Sequence, residues 1–481
     1  MMKFRRSAVA DPFPACCKTL NAMPTSYKKL KMLRRSRVMW GSWRRWRPRM
    51  VFWAGALAIG IISVMFAKAA DIAQELFHTM LGSGEHTYLL PLVVTPLGFA
   101  LCAWLAFTVF PASQGSGIPQ AIAARHLRRD DERHRLLSLR IAFGKIVLTI
   151  AGLFFGASIG REGPTVQVGA SIMLLAARIG GMAQAQGLIL AGSAAGIAAA
   201  FNTPLAGIVF AIEEMSRTYQ ARANGLVLTA VILSGLSALG IVGSYTYFGS
   251  ASISVHSARE WAAVIVCGIG GGFFGAIFSA GALRLSQRIR RWCQPQPLMR
   301  NVSMAAGCGL LVAIIGVIAS GTTFGTGYEQ ARSAIEGEPL PIFYFIGKLA
   351  SSFLSMVSGI PGGIFAPSLS VGAGFGSTVG QMLGVSVGLA AVLGMAGYFA
   401  GVVQAPMTAF VIILEMTDSH DGVISLMIAA MLGYLTSRMI SREPLYHGLS
   451  RVWVAESIRL QRAAAKADAQ GAAPAEPAAK A

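Results

Sequence analysis

Long apolar blocks, many without a charge, recur along this chain at roughly 51–70, 89–112, 141–160, 187–212, 225–247, 261–283, 302–320, 341–357, 387–414 and 423–440. Each approaches or exceeds the ~20 residues an α-helix needs to cross the hydrocarbon of a bilayer. Hydrocarbon offers a backbone no hydrogen bonds, so a spanning block must satisfy its own, as a helix does. The ten-residue apolar/polar alternation of an outer-membrane barrel is missing. With 54% of the 481 residues hydrophobic and 13% charged, too little polar surface remains for a soluble protein. The expected fold is all-α and polytopic.

Charge placement then orients the chain. The net charge of +20 is concentrated in an N-terminal arm, residues 1–50, with Lys28, Lys29, Lys31, Arg34, Arg35, Arg37 and Arg44, Arg45, Arg47, Arg49. Two connections repeat the pattern, with Arg125, Arg128, Arg129, Arg133, Arg135 and with Arg284, Arg288, Arg290, Arg291. Acids gather instead near Asp71, Glu75, Glu85 and near Glu329, Glu336, Glu338. The positive-inside rule places the arm, the basic loops and both termini in the cytoplasm, and it accounts for the basic balance without a nucleic-acid partner. The arm has no apolar core followed by a small-residue cleavage site, so it is expected to be retained. Cys16, Cys17, Cys102, Cys267, Cys293 and Cys308 fall in no ligand spacing, and no metal or cofactor is expected. Residues 456–481 are polar and alanine-rich, are expected to be disordered, and are too few for a folded cytoplasmic domain.

The chain also resembles itself about two hundred residues on. Gly160-Arg161-Glu162-Gly163-Pro164 through Gly169-Ala170 aligns with Gly363-Ile364-Phe365-Ala366-Pro367 through Gly372-Ala373, and Gly192 through Pro204 to Glu213 aligns with Gly394 through Pro406 to Glu415. The expected organisation is a first membrane repeat over 51–250 and a second over 251–455, with the substrate site where the repeats meet.

Gly and Pro cluster between apolar segments at 115–119, 160–164 and 359–367. Proline fits the first turn of a helix, where its missing N–H costs nothing, and the glycines before it allow a sharp entry. Each cluster therefore predicts a helix N-terminus, whose free amides and positive dipole end suit a small anion. Close packing of small residues is the alternative use of these glycines. Glu162 stands inside the second cluster; ionised in lipid it would cost about 2.5 to 3.5 kcal/mol, so it should face an aqueous path, and its carboxylate competes for the amides an anion would use. Glu213 and Glu214 end an apolar helix, where they read either as functional acids or as an interfacial pair beside Arg217. Ser116 reads as a cap or a ligand, Tyr446 as an interfacial aromatic or a ligand, and Lys145 as snorkelling or as part of an anion path.

Gly115-Ser116-Gly117-Ile118-Pro119, Gly160-Arg161-Glu162-Gly163-Pro164, Gly363-Ile364-Phe365-Ala366-Pro367 and the late Tyr446, in that order over about 50–455, resemble the three filter motifs and closing tyrosine of the CLC chloride channel and transporter family. The resemblance implies a homodimer with one pore per subunit, each subunit built of two inverted repeats of tilted and broken transmembrane helices. It implies that Ser116, Tyr446 and the amides of Ile364 and Phe365 hold chloride, and that Gly160, Arg161, Glu162 and Gly163 line an outer anion site with Glu162 as gate. It further implies that Glu214, with Glu213 as a possible neighbour on the route, moves protons on the inner side. The retained Glu214 favours chloride/proton exchange over a passive chloride channel, and no nucleophile–base pairing supports a membrane-embedded enzyme. Gln120 and Ile122 depart from the family, many members of which carry Glu directly after the first motif. A bacterial inner membrane is the expected location.

Overall fold

The computed structural model describes residues 43–82, 89–216, 221–243, 247–249, 254–418 and 422–471. Most of the basic arm, together with Glu85, Arg217 and residues 472–481, lies outside them. Residues 1–50 form one unit, of which 43–50 are described, and the chain from Val51 forms a second. Among the described residues the regular structure is helical, and seven helices are long and apolar enough to cross a membrane.

Their outer surface is what lipid requires. On the helix Pro91–Thr108, Val93, Leu97, Leu101 and Trp104 form one exposed stripe, while Phe99, Cys102 and Ala103 are fully buried. A water-soluble helix would show the reverse.

Two of the apolar blocks turn out to be pairs of half-helices. Block 187–212 divides into Ala185–Phe201 and Pro204–Phe210, and block 387–414 into Val387–Val403 and Pro406–Thr417. The breaks are equivalent: Asn202 (φ 56°) and Gln404 (φ 59°) end their helices in the left-handed conformation, and a proline restarts the chain two residues later. Apolarity alone hides such a break, because nothing charged marks it. The block reading also passes over two deeply buried helices, Glu162–Gly180 and Phe365–Leu383, whose small residues replace the long apolar ones. A Cβ on Gly169 would overlap the Gly192 carbonyl, and one on Gly376 the Ala390 carbonyl. Each of these helices therefore lies against the next one, Ala185–Phe201 or Val387–Val403, at backbone distance.

The repeats exchange caps across their interface. Both Glu415 carboxylate oxygens accept from the first turn of Pro204–Phe210, at Leu205 N (3.0 Å) and Ala206 N (2.7 Å). Glu213 does the same for Pro406–Thr417, at Met407 N (3.1 Å) and Thr408 N (2.6 Å). This reciprocity is what two inverted repeats produce: each half satisfies the open amides of the other.

One boundary needs correcting. The helix Leu445–Gly471 continues through 456–471, so that stretch of the C-terminal tail is helical where composition suggested disorder.

Candidate functional site

The three Gly/Pro clusters meet in the protein interior. Gly160 and Gly363 exchange backbone hydrogen bonds in both directions, each 2.7 Å, as an antiparallel bridge. Gly115 N donates to Ile360 O (3.2 Å) and Gly362 N to Gly115 O (3.1 Å). The loops are thereby tied to one another by their own peptides, and the helices Ile118–His126, Glu162–Gly180 and Phe365–Leu383 begin from this knot.

Local sequence explains the geometry. Gly115 (φ 65°) and Gly117 (φ 100°) take conformations that a side chain would strain, and Gly117 is the N-cap of its helix. Lys145 fixes the loop ahead of them. Fully buried, its Nζ donates to the carbonyls of Ser113 (2.5 Å), Gln114 (3.4 Å) and Gly115 (2.7 Å), so it does not snorkel to the interface. Gln120 is buried and donates from Nε2 to Gln114 O (2.5 Å), bracing the same turn. Ile122 is fully buried and apolar.

Glu162 is fully buried at the first position of its helix, yet its carboxylate reaches across to the other repeat, where Oε2 lies 3.5 Å from Ala366 N in the first turn of Phe365–Leu383. The amides of Ile364 and Phe365 beside it make no backbone hydrogen bond among the described residues. Both residues are buried at the start of a helix, where the first amides have no intrahelical acceptor. The hydroxyls of Ser116 and Tyr446 are both sealed from solvent with no partner within hydrogen-bonding geometry. Tyr446 lies close to Ser116, Glu162 and Glu214, and its ring packs against Phe365 at 5.9 Å. Buried polar groups are normally paired, so two hydroxyls and two amides left open together fit a small anion as their common acceptor. Below Ser116 opens a cavity of about 1020 Å³, whose lining includes Ser116, Gln120, Arg135, Arg140, Arg290 and Arg459. The arginines give an anion a favourable approach.

The remaining acids separate. Glu214 sits in a π-helical turn, Ala211–Ser216, with both carboxylate oxygens shielded from solvent. Glu213, one residue earlier, points the other way and caps Pro406–Thr417 as described. Arg161 turns outward from the knot: its guanidinium, 7% exposed as a residue, donates to Ala67 O (2.7 Å) and to Asp71 (2.5 Å) and lies over the Tyr247 ring. Sequence reasoning does not find Asp71 or Tyr247 as its partners, since they come from distant helices and loops. It also passes over Lys348, which is fully buried and donates to the carbonyls of Thr323 (3.0 Å), Phe324 (3.3 Å) and Gly325 (2.8 Å), as Lys145 does in the first repeat. The signal was present: Gly325-Thr326-Gly327 repeats the Gly-x-Gly of 115–117, with a lysine following in the next apolar helix.

The chain is similar to known proteins over most of its length. The family model described as voltage gated chloride channel matches residues 98–438. Curated relatives include the H(+)/Cl(-) exchange transporters ClcA of Salmonella agona, 30% identical over 86% of this chain and 88% of that one, and of Salmonella arizonae, 31% identical over the same shares. Among solved structures, a slow cyanobacterial Cl-/H+ antiporter superposes with a TM-score of 0.74 at 23% identity, covering 85% of this chain and 98% of that one. A CLC-type fluoride/proton antiporter gives 0.69 at 22% identity, covering 83% and 96%.

Proposed function

The chain belongs to the voltage-gated chloride channel family, and on that premise we propose that it is a secondary transporter exchanging chloride for protons across the membrane. The observation that carries this reading is the position of one carboxylate. Glu162 starts a helix of the first repeat and ends at the amides of a helix of the second, which is where a bound anion would lie. Ionised, it competes with chloride for those amides; protonated, it loses most of that attraction and withdraws, and the anion advances. One acidic group thus ties anion movement to proton movement.

In this mechanism chloride enters from the arginine-lined cavity and is held by the Ser116 and Tyr446 hydroxyls and the Ile364 and Phe365 amides. It then passes the outer site formed by the amides of Gly160, Arg161, Glu162 and Gly163. Glu214 passes the proton on the inner side. Glu213 is committed to capping, so Glu214 alone carries that role. The cavity side is the cytoplasmic side, because Arg135, Arg140 and Arg290 lie there and the positive-inside rule assigns basic loops to the cytoplasm. Both termini are cytoplasmic, in a bacterial inner membrane. Each subunit holds a complete set of these groups, so in a homodimer each copy runs its own pathway.

The test is purified protein in liposomes, with a chloride gradient imposed and internal pH followed. Exchange predicts proton movement against its own gradient, driven by chloride. A passive channel of the same fold predicts chloride flux with no pH change.

A further inference from the structure

We infer that His447 is the positioning and relay group that brings protons from the cytoplasmic side to Glu214. The inference rests on the exchange reading above. Glu214 is fully buried and both its oxygens are shielded from solvent, so its proton must be handed over by a neighbour or an inserted water. His447 is the neighbour with the right chemistry. Its Nε2 is 2.8 Å from the Glu214 carbonyl oxygen and 3.9 Å from Glu214 Oε1, and its side chain is 20% exposed. The ring thus spans from the buried acid toward water. It follows Tyr446 directly on the helix Leu445–Gly471, so the same turn of chain presents a hydroxyl to the anion site and an imidazole to the proton site.

Imidazole is the side chain whose ordinary titration falls between about pH 5 and 8, and it carries two nitrogens, so it can take a proton at one and release a proton from the other. The transfer balances without any further reagent. A hydronium ion on the cytoplasmic side gives its proton to Nδ1 and leaves water; Nε2 gives its proton to the Glu214 carboxylate, leaving a carboxylic acid and a neutral ring; the ring regains its Nε2–H tautomer by proton exchange with water. While Nε2 carries its proton, the Glu214 carbonyl accepts from it and holds it within a small shift of Oε1.

Other charges bear on the ring. On its own helix stands Arg451, paired at 2.8 Å with Glu443 just ahead of that helix; from Ile118–His126 come Arg125 and His126, and from the π-helical turn Glu213 and Glu214. The helix Ala258–Cys293 adds Arg284, Arg288, Arg290 and Arg291, and Val387–Val403 adds Tyr398. Arg125 is engaged with Met215 O and Ser216, and the His447 ring lies against Glu214.

The test is full-length protein in liposomes, with chloride and proton fluxes measured together over internal pH 5 to 8 for wild type, His447→Gln and His447→Ala. Glutamine keeps a donor for the Glu214 carbonyl but cannot carry a proton. We expect both variants to lower chloride-driven proton flux by about tenfold or more while chloride flux stays within about twofold, and to lose the imidazole-range break in the internal-pH profile. Wild-type proton flux and pH profile in His447→Gln would overturn the inference, as would an equal fall of both fluxes in that variant, since either result makes His447 a structural donor. Lack of proton coupling in the wild type would instead overturn the exchange reading itself, so the two failures are distinguishable.

Discussion

Gly115-Ser116-Gly117 and Gly325-Thr326-Gly327 are one loop built twice. The glycines take matching left-handed conformations, φ 65° and 100° in the first and 64° and 76° in the second, and a buried lysine grips three carbonyls ahead of or within each loop. Yet the Ser116 hydroxyl has no protein partner and borders the large cavity, whereas Thr326 N and its hydroxyl both donate to Gln74 Oε1, at 2.9 and 3.1 Å. The second pair of loops diverges similarly. Where the first repeat has Glu162, the second has Phe365, whose ring stacks on Phe201 and meets Phe399 edge-on. Symmetry supplies the scaffold, and the site comes from breaking it: one loop left open, one acid kept.

The largest effects should come from the acids. Glu162→Gln is expected to leave chloride flux and abolish coupled proton flux, by about 10²-fold or more, and Phe365→Glu in the same protein should not restore it, because that carboxylate would start from an aromatic cluster. Recovery of coupling in the double variant would break the asymmetry argued here. Glu214→Gln should also uncouple protons with the anion path intact; proton flux equal to wild type would reject its role. Both are read in liposomes with paired chloride and pH electrodes.

The lysines sharpen the contrast. Lys348→Met strands three buried carbonyls and should cost about 3 kcal/mol or more in thermal or denaturant unfolding; Lys145→Met strands Ser113 O alone, since Gln114 O keeps Gln120 Nε2 and Gly115 O keeps Gly362 N, and should cost about 1 to 3 kcal/mol. Only Lys145→Met should also impair chloride transport per folded molecule, since its loop carries Ser116. Equal transport losses would mean that both loops serve the anion.

Smaller effects should follow the symmetry. Glu213→Ala and Glu415→Ala remove equivalent reciprocal caps, and each should lower stability by about 0.5 to 2 kcal/mol without changing the proton-to-chloride ratio. A changed ratio in Glu213→Ala would return that residue to the proton route. Gln74→Ala, which strips two hydrogen bonds from the second loop, should lower stability by about 1 to 2 kcal/mol and leave transport rate unaltered.

Much of this was legible in the chain. The three loops of the proposed anion site declare themselves because glycine pairs with proline between membrane segments, and Glu162 because an acid there needs a reason. The repeat alignment already pairs Glu213 with Glu415. What it cannot say is that each reaches into the other half, since sequence spacing carries no information about contacts across an interface. Half-helices escaped notice because Asn202 and Gln404 break an apolar block without a charge. The helices Glu162–Gly180 and Phe365–Leu383 escaped for the opposite reason: buried on all sides against backbone, they need small residues more than hydrophobic ones. His447 carries no motif at all, and its place beside Glu214 depends on a fold contact between residues 233 positions apart.

The proposed competition between Glu162 and chloride for one set of amides is open to direct measurement by calorimetric titration of chloride into purified protein across a range of pH. In the wild type chloride affinity should rise as pH falls and the carboxylate gives up its claim, while Glu162→Gln should bind at alkaline pH as tightly as the wild type does in acid. Chloride affinities that coincide for the two proteins at every pH would mean that the carboxylate and the anion never contend for the same place.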